Sequence, residues 1–157
     1  MKKRIAICLR GGISKLKTWF NKDDNTNLLY SSNPYVPYES CYNSIMKHIV
    51  QINPNYEFDF FIQSWNCDLK EDLIKLYKPK NTLFEDQRQY IDLINKNKIN
   101  RYGYTAQKLA IKKSIEIMLE YSNKNNIKYD RVIIYRPDVL LWKNMIISNY
   151  DKDLIYV

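Results

Sequence analysis

The chain is poor in the residues that many active sites require. Its 157 residues include a single histidine, His48. No multi-histidine metal centre can form, and any Ser-His-Asp triad would have to use that one ring. His48 falls inside a helix-periodic segment, where it reads best as a residue at the edge of the core face. The three cysteines, Cys8, Cys41 and Cys67, are odd in number and form no CxxC pair. That argues against a disulfide framework and against a cysteine-based zinc site. Cys8 lies within an apolar strand pattern, as a small core residue would. Glycine is scarce too, at three residues. Gly11-Gly12-Ile13-Ser14-Lys15 has neither the GxxxxGK[ST] spacing of a P-loop nor a GxGxxG dinucleotide fingerprint. No apolar run approaches the roughly 18 residues of a membrane span. Met1-Lys2-Lys3-Arg4 leads into only Ile5 to Leu9, too short a run for a signal-peptide core. A cytoplasmic chain is expected.

The composition that is present suits a soluble globular protein of one domain, with 45% hydrophobic and 27% charged residues. The formal net charge is +8, carried largely by 19 lysines beside 17 asparagines, 20 isoleucines and 14 tyrosines. All four types have AT-rich codons, so an AT-rich genome accounts for much of the lysine. The lysines are also scattered, as at Lys15, Lys47, Lys75, Lys96, Lys112 and Lys128. A nucleic-acid surface calls for a local stripe containing arginine. An anionic small ligand or an anionic membrane surface, approached peripherally from the cytoplasmic side, therefore ranks ahead of nucleic acid.

Along the chain, apolar runs alternate with helix-periodic stretches. Arg4 to Leu9 predicts a buried strand ending at Arg10-Gly11-Gly12. Residues 13–36 are polar and broken by Asn33-Pro34, and read as a long loop. Tyr38 to Ile52 predicts a helix on Cys41, Ile45, Ile49 and Ile52, stopped by Asn53-Pro54. Phe58 to Gln63 predicts the second strand, leaving through Ser64-Trp65-Asn66. Asp68 and Glu71 have the spacing of a capping box for a helix to Tyr77. Thr82-Leu83-Phe84 predicts a short strand, and Ile91, Leu93 and Ile94 a weak helix. Thr105 offers a cap for a long helix to Asn123. Its apolar arc runs from Ala106 through Ala110, Ile111, Ile115, Ile117 and Met118 to Tyr121, opposite a solvated arc of Lys108, Lys112, Lys113, Glu116 and Glu120. Arg131 to Tyr135 is the clearest strand, leaving through Arg136-Pro137-Asp138, and Leu154 to Val157 reads as one more. The alternation predicts an α/β fold, with a three-layer, mainly parallel, Rossmann-like sheet.

In such sheets ligands bind beyond the carboxyl ends of the strands, which singles out three exits: Arg10-Gly11-Gly12, Ser64-Trp65-Asn66 and Arg136-Pro137-Asp138. At Arg10-Gly11-Gly12 the glycines allow close backbone approach, free N–H groups could meet a diphosphate, and Arg10 adds a forked charge. The same residues also make a plain tight turn with a solvated arginine. At Arg136-Pro137-Asp138 a carboxylate at a strand exit can hold a divalent cation, and that cation can neutralise a diphosphate leaving group. Alternatively, Arg136 and Asp138 form a surface pair of little energetic weight. Asp151-Lys152-Asp153 spells D-x-D but precedes a strand, and reads as a solvated turn.

Arg4 to Arg10, Phe58-Asp59-Phe60-Phe61-Ile62-Gln63-Ser64-Trp65, Leu76-Tyr77-Lys78-Pro79, and Tyr129 to Val139 with its Arg136-Pro137-Asp138 occur in that order. Together they resemble the amino-terminal part of a family of bacterial and viral polysaccharide-biosynthesis glycosyltransferases with a GT-A-type fold. The family pattern is a D-x-F-I-x-x-W strand, a helix with Y-x-P, and a strand ending R-x-D. The resemblance implies a nucleotide-sugar donor held by Arg10, Gly11, Gly12, Trp65, Arg136 and Asp138. It also implies Mn²⁺ or Mg²⁺ on Asp138. Arg136 stands where GT-A enzymes carry the first aspartate of D-x-D, so a cation of the protein could replace part of the metal's charge. The expected function is sugar transfer to a saccharide or lipid-linked acceptor. On this resemblance residues 1–157 are expected to form one such domain, incomplete at its carboxyl end, with no catalytic base assigned. A non-catalytic binding or assembly module is the alternative, followed by a basic nucleic-acid binder.

Overall fold

The computed structural model describes residues 2–12, 17–20, 27–30, 38–65, 69–90, 92–93 and 102–151. Its centre is a four-stranded, all-parallel sheet in the order β5-β4-β1-β6. The strands are β1 Lys3–Gly11, β4 Tyr56–Ser64, β5 Asn81–Phe84 and β6 Arg131–Tyr135. β2 Lys17–Phe20 and β3 Asn27–Tyr30 form a separate antiparallel pair within the stretch expected to be a loop. The expected strand over Leu154–Val157, and the helix expected around Ile91 and Ile94, involve positions outside the described residues.

Among the described residues three helices complete the alternation: α1 Tyr38–Ile45, α2 Lys70–Tyr77 and α3 Tyr102–Asn125. α1 continues into a π-helical turn, Met46–Val50, closed by Gln51 N–H donating to the Met46 carbonyl at 2.9 Å. The sequence predicts one uninterrupted helix there, because the apolar spacing of Ile45 and Ile49 is the same for both. α2 starts after Leu69, with no side-chain cap bond at that position; Asp68, on which the expected capping box rests, lies outside the described residues. α3 begins at Tyr102, one turn before the expected cap at Thr105. Among the described residues no helix is long and apolar enough to cross a membrane.

The sheet separates two layers. The central strands carry near-continuous apolar runs because both their faces are covered. Ile5, Ile7, Leu9 and Ile62 point to one side, where they meet Ile45 and Ile49 of the first helical segment, Leu69, Leu73 and Tyr77 around α2, and Ile147. Ala6, Cys8 and Phe61 point to the other side, against Ile117 and Met118 of α3. Right-handed crossovers from β1 to β4 to β5 place α1 and α2 on one face. The return from β5 to β6 runs the opposite way and puts α3 on the other. As an edge strand, β6 is only half covered: Ile133 and Tyr135 pack inward, whereas Val132 and Ile134 remain 42% and 40% exposed.

Two polar devices hold this frame. Asp59 is buried on the α3 side, where its carboxylate accepts from Tyr129 Oη at 2.8 Å and pairs with Arg4 at 3.2 Å. A buried carboxylate needs such partners to remain charged, so this aspartate of the strand motif supports the fold. Buried Asn53 donates to the carbonyls of Ile49 (2.6 Å) and Met145 (2.8 Å) and accepts from Ile147 N–H (2.9 Å), fastening the segment after β6 beneath α1.

Candidate functional site

Counted within this sheet, the order β5-β4-β1-β6 means that the chain builds outward on one side of β1 and then crosses to the other. That makes the β1–β6 boundary a topological switch point, where open α/β sheets bind ligands. A cleft of about 150 Å³ lies at the carboxyl ends of these strands. Its lining brings together Arg10, Gly11 and Gly12 after β1, Trp65 after β4, and Arg136 and Asp138 after β6. Gln87 and the first turns of α3, at Ala106, Gln107 and Ala110, complete it. The two alanines leave room between helix and sheet.

Strand parity explains the convergence. Side chains two residues apart share a face. Ala6, Cys8 and Arg10 therefore follow one another on the α3 side of β1. Arg10 is paired in register with Gln63, and Leu9 with Tyr135. One step further along β6, the same register brings Arg136 alongside Arg10.

The turn out of β1 is fixed by β4. Gly11 has φ +114°, a conformation that side-chain-bearing residues rarely adopt, and a Cβ there would meet nothing within 4 Å. The need for glycine is thus conformational. Gly11 N–H donates to Gln63 Oε1 at 3.3 Å, and the Gly11 carbonyl accepts from Trp65 N–H, also at 3.3 Å. The Gly11 amide is therefore not among the free N–H groups expected for a ligand. Gln63 is fully buried, a polar residue in an apolar strand whose partner is this turn.

The charges are arranged unequally. Arg136 and Asp138 form a forked pair, Nε to Oδ1 at 3.0 Å and Nη2 to Oδ2 at 2.6 Å. The turn closed by Val139 N–H on the Arg136 carbonyl (3.2 Å) holds them together across Pro137. The hydrogen bond to Asp138 raises the pKa of Arg136. Arg10 is the opposite case. Its Nε is buried without a hydrogen-bond partner among the described residues. Burial lowers its pKa, and the Arg136 charge adds to that, partly offset by Asp138. The described lining thus holds two guanidiniums and one carboxylate, a net positive set.

Behind Trp65 stands a network that sequence spacing does not reveal. The Trp65 and Tyr90 rings lie 5.8 Å apart. Tyr90 Oη donates to Glu85, while Lys113 donates to Tyr90 Oη at 2.8 Å and pairs with Glu85 at 3.0 Å. Lys113 was expected on the solvated arc of α3, but its side chain is only 14% exposed. Burial alone would lower its pKa; the bonds to Tyr90 and Glu85 outweigh that and raise it.

The described lining residues do not suit a divalent cation. Asp138 is the one carboxylate among the described lining residues, and both of its oxygens are on Arg136. Among the described residues no group of three His, Cys, Asp or Glu side chains comes together. Hard cations want several oxygen ligands, and this cleft offers guanidiniums. Comparison of the chain with models of protein families, with curated proteins and with solved structures finds no match.

Proposed function

We propose that this chain is a glycosyltransferase-like domain of GT-A type that binds a nucleotide-sugar donor through its diphosphate. The observation that carries the proposal is the convergence of Arg10, Gly11, Gly12, Trp65, Arg136 and Asp138 from three strand exits into one net-positive cleft. At about 150 Å³, the cleft is smaller than the roughly 300–1,000 Å³ of whole-ligand pockets. It suits the anionic part of a donor, with sugar and nucleoside over the open rim. In transfer, the bond from the sugar's anomeric carbon to the diphosphate oxygen breaks, a bond to an acceptor hydroxyl oxygen forms, and the hydroxyl proton is released to water. Arg10 and Arg136 stabilise the negative charge that develops on the leaving diphosphate. The acceptor is a saccharide or a lipid-linked saccharide. A binding module without transfer is the second reading, favoured by one observation: the lining carboxylate that could act as base is tied to Arg136.

The test is a thermal-shift panel of UDP-, GDP-, ADP- and CDP-sugars, followed by a transfer assay with whichever donor binds. A donor at 100 times its Kd adds about 2.7 kcal/mol, a rise in Tm of roughly 5–10 °C for a domain of this size. Stabilisation with sugar release to an acceptor supports the enzyme, and stabilisation without release supports the binding module. No shift with any donor refutes both.

A further inference from the structure

We propose that the cleft is a metal-independent clamp for a phosphate group, in which Arg10 and Arg136 are the ligands and Asp138 is a positioning residue. This deepens the nucleotide-sugar proposal and rests on its phosphate site, but it makes a separate claim about how the phosphate is held.

Three observations lead there. First, the Asp138 carboxylate is spent on Arg136, through both oxygens. A cation-binding carboxylate would have to give up that fork and accept a divalent ion beside two guanidiniums. Second, the fork uses only Nε and one Nη2 hydrogen of Arg136. The remaining N–H groups of the guanidinium stay available to a second anion. Asp138 therefore orients Arg136 as a carboxylate orients a catalytic histidine, without blocking it. Third, Arg10 lines the same cleft with its buried Nε unpartnered among the described residues. A buried donor without a partner is costly, and a phosphate oxygen would satisfy it. The planar forks of two arginines match the tetrahedral oxygens of a phosphate. The cleft's charge, two positive and one negative, needs no metal to attract one.

The proposal assigns Asp138 an effect opposite in sign to that of a metal ligand. With a metal, Asp138→Asn removes the ion and the donor with it. In the clamp, the same change leaves an oxygen for Arg136 to hold and removes the one negative charge among the described lining residues.

Calorimetric titration with pyrophosphate and with UDP, GDP, ADP and CDP, each in EDTA and in Mn²⁺, decides between them. The clamp predicts binding in EDTA. It further predicts higher affinity in Asp138→Asn, and a loss of about ten- to hundredfold in Arg10→Gln. Arg10→Lys, which keeps the charge without the fork, should fall between. Asp138 is exposed, so Asp138→Asn tests the proposal even if the Arg10 variants fold poorly. Binding that requires Mn²⁺ and vanishes in Asp138→Asn overturns the clamp and leaves the nucleotide-sugar proposal standing. Pyrophosphate binding in EDTA with no nucleotide bound supports the clamp and refutes the nucleotide-sugar proposal. No binding of any probe in either condition refutes both.

Discussion

The two faces of the sheet do different work. The face under α1 and α2 is closed: Ile5, Ile7, Leu9, Ile45, Ile49, Leu69, Leu73 and Ile147 are at most 2% exposed. The α3 face is as apolar only in its middle, at Ala6, Cys8 and Phe61. Toward the strand exits its inward positions turn polar, at Gln63 on β4 and Arg10 on β1, and Val132 and Ile134 of β6, in register with Ala6 and Cys8, are left partly in solvent. One alternation thus produces both faces. The even and odd residues of the same strands divide between a face that supplies stability and a face that ends in a charged cleft.

The contrast makes its largest prediction for paired truncations. Leu73→Ala, on the closed face, should cost about 2–5 kcal/mol in urea unfolding. Ile134→Ala, at a position 40% exposed, should cost under about 1 kcal/mol. Equal losses would show that the α3 face is as closed as the other and would break the comparison.

Gly11→Ala comes next. No atom stands in the way of the added methyl group, so the cost is backbone strain at φ +114°, about 1–3 kcal/mol. Chemical denaturation reads it directly, and a neutral result would mean that the turn relaxes despite Gln63 and Trp65. The smallest effect belongs to the wall of the cleft. A double-mutant cycle of Lys113→Met and Glu85→Gln should give a coupling of about 1 kcal/mol. In a Trp19→Phe, Trp142→Phe background, both variants should move Trp65 emission to longer wavelength as its packing on Tyr90 loosens. Additive variants with unchanged emission would detach this network from the cleft.

The sequence shows clearly what depends on local pattern. β1, β4 and β6 are legible because buried parallel strands require short apolar runs, and Arg131–Tyr135 has the predicted bounds. The exits are legible because charge and glycine interrupt those runs. What depends on distant partners is hidden. Lys113 reads as solvated until Glu85 and Tyr90, brought close by folding, are placed beside it. Gln63 is visible as a polar residue in a strand, but its bond to Gly11 depends on register. The π-turn at Met46–Val50 differs from an α-helix in hydrogen bonding and hardly at all in apolar spacing. The β2–β3 pair offers no Asn-Gly or Asp-Gly turn between its strands to announce it.

The thiols of Cys8 and Cys41 give each layer its own clock. Burial pushes Cys8 up to about 12, and burial, followed by the negative charge of Asp138, pushes Cys41 up to about 11. Both lie above the ordinary 9.0, so their share of stability is intact below about pH 9 and drains away as pH climbs toward those values. At neutral pH neither thiolate forms in the closed molecule, and alkylation must wait for an opening. With Cys67 replaced by serine, the labelling rate at Cys8 times the lifting of α3 from the sheet. The rate at Cys41 times the release of α1, on the side where the charge of Asp138 is also felt.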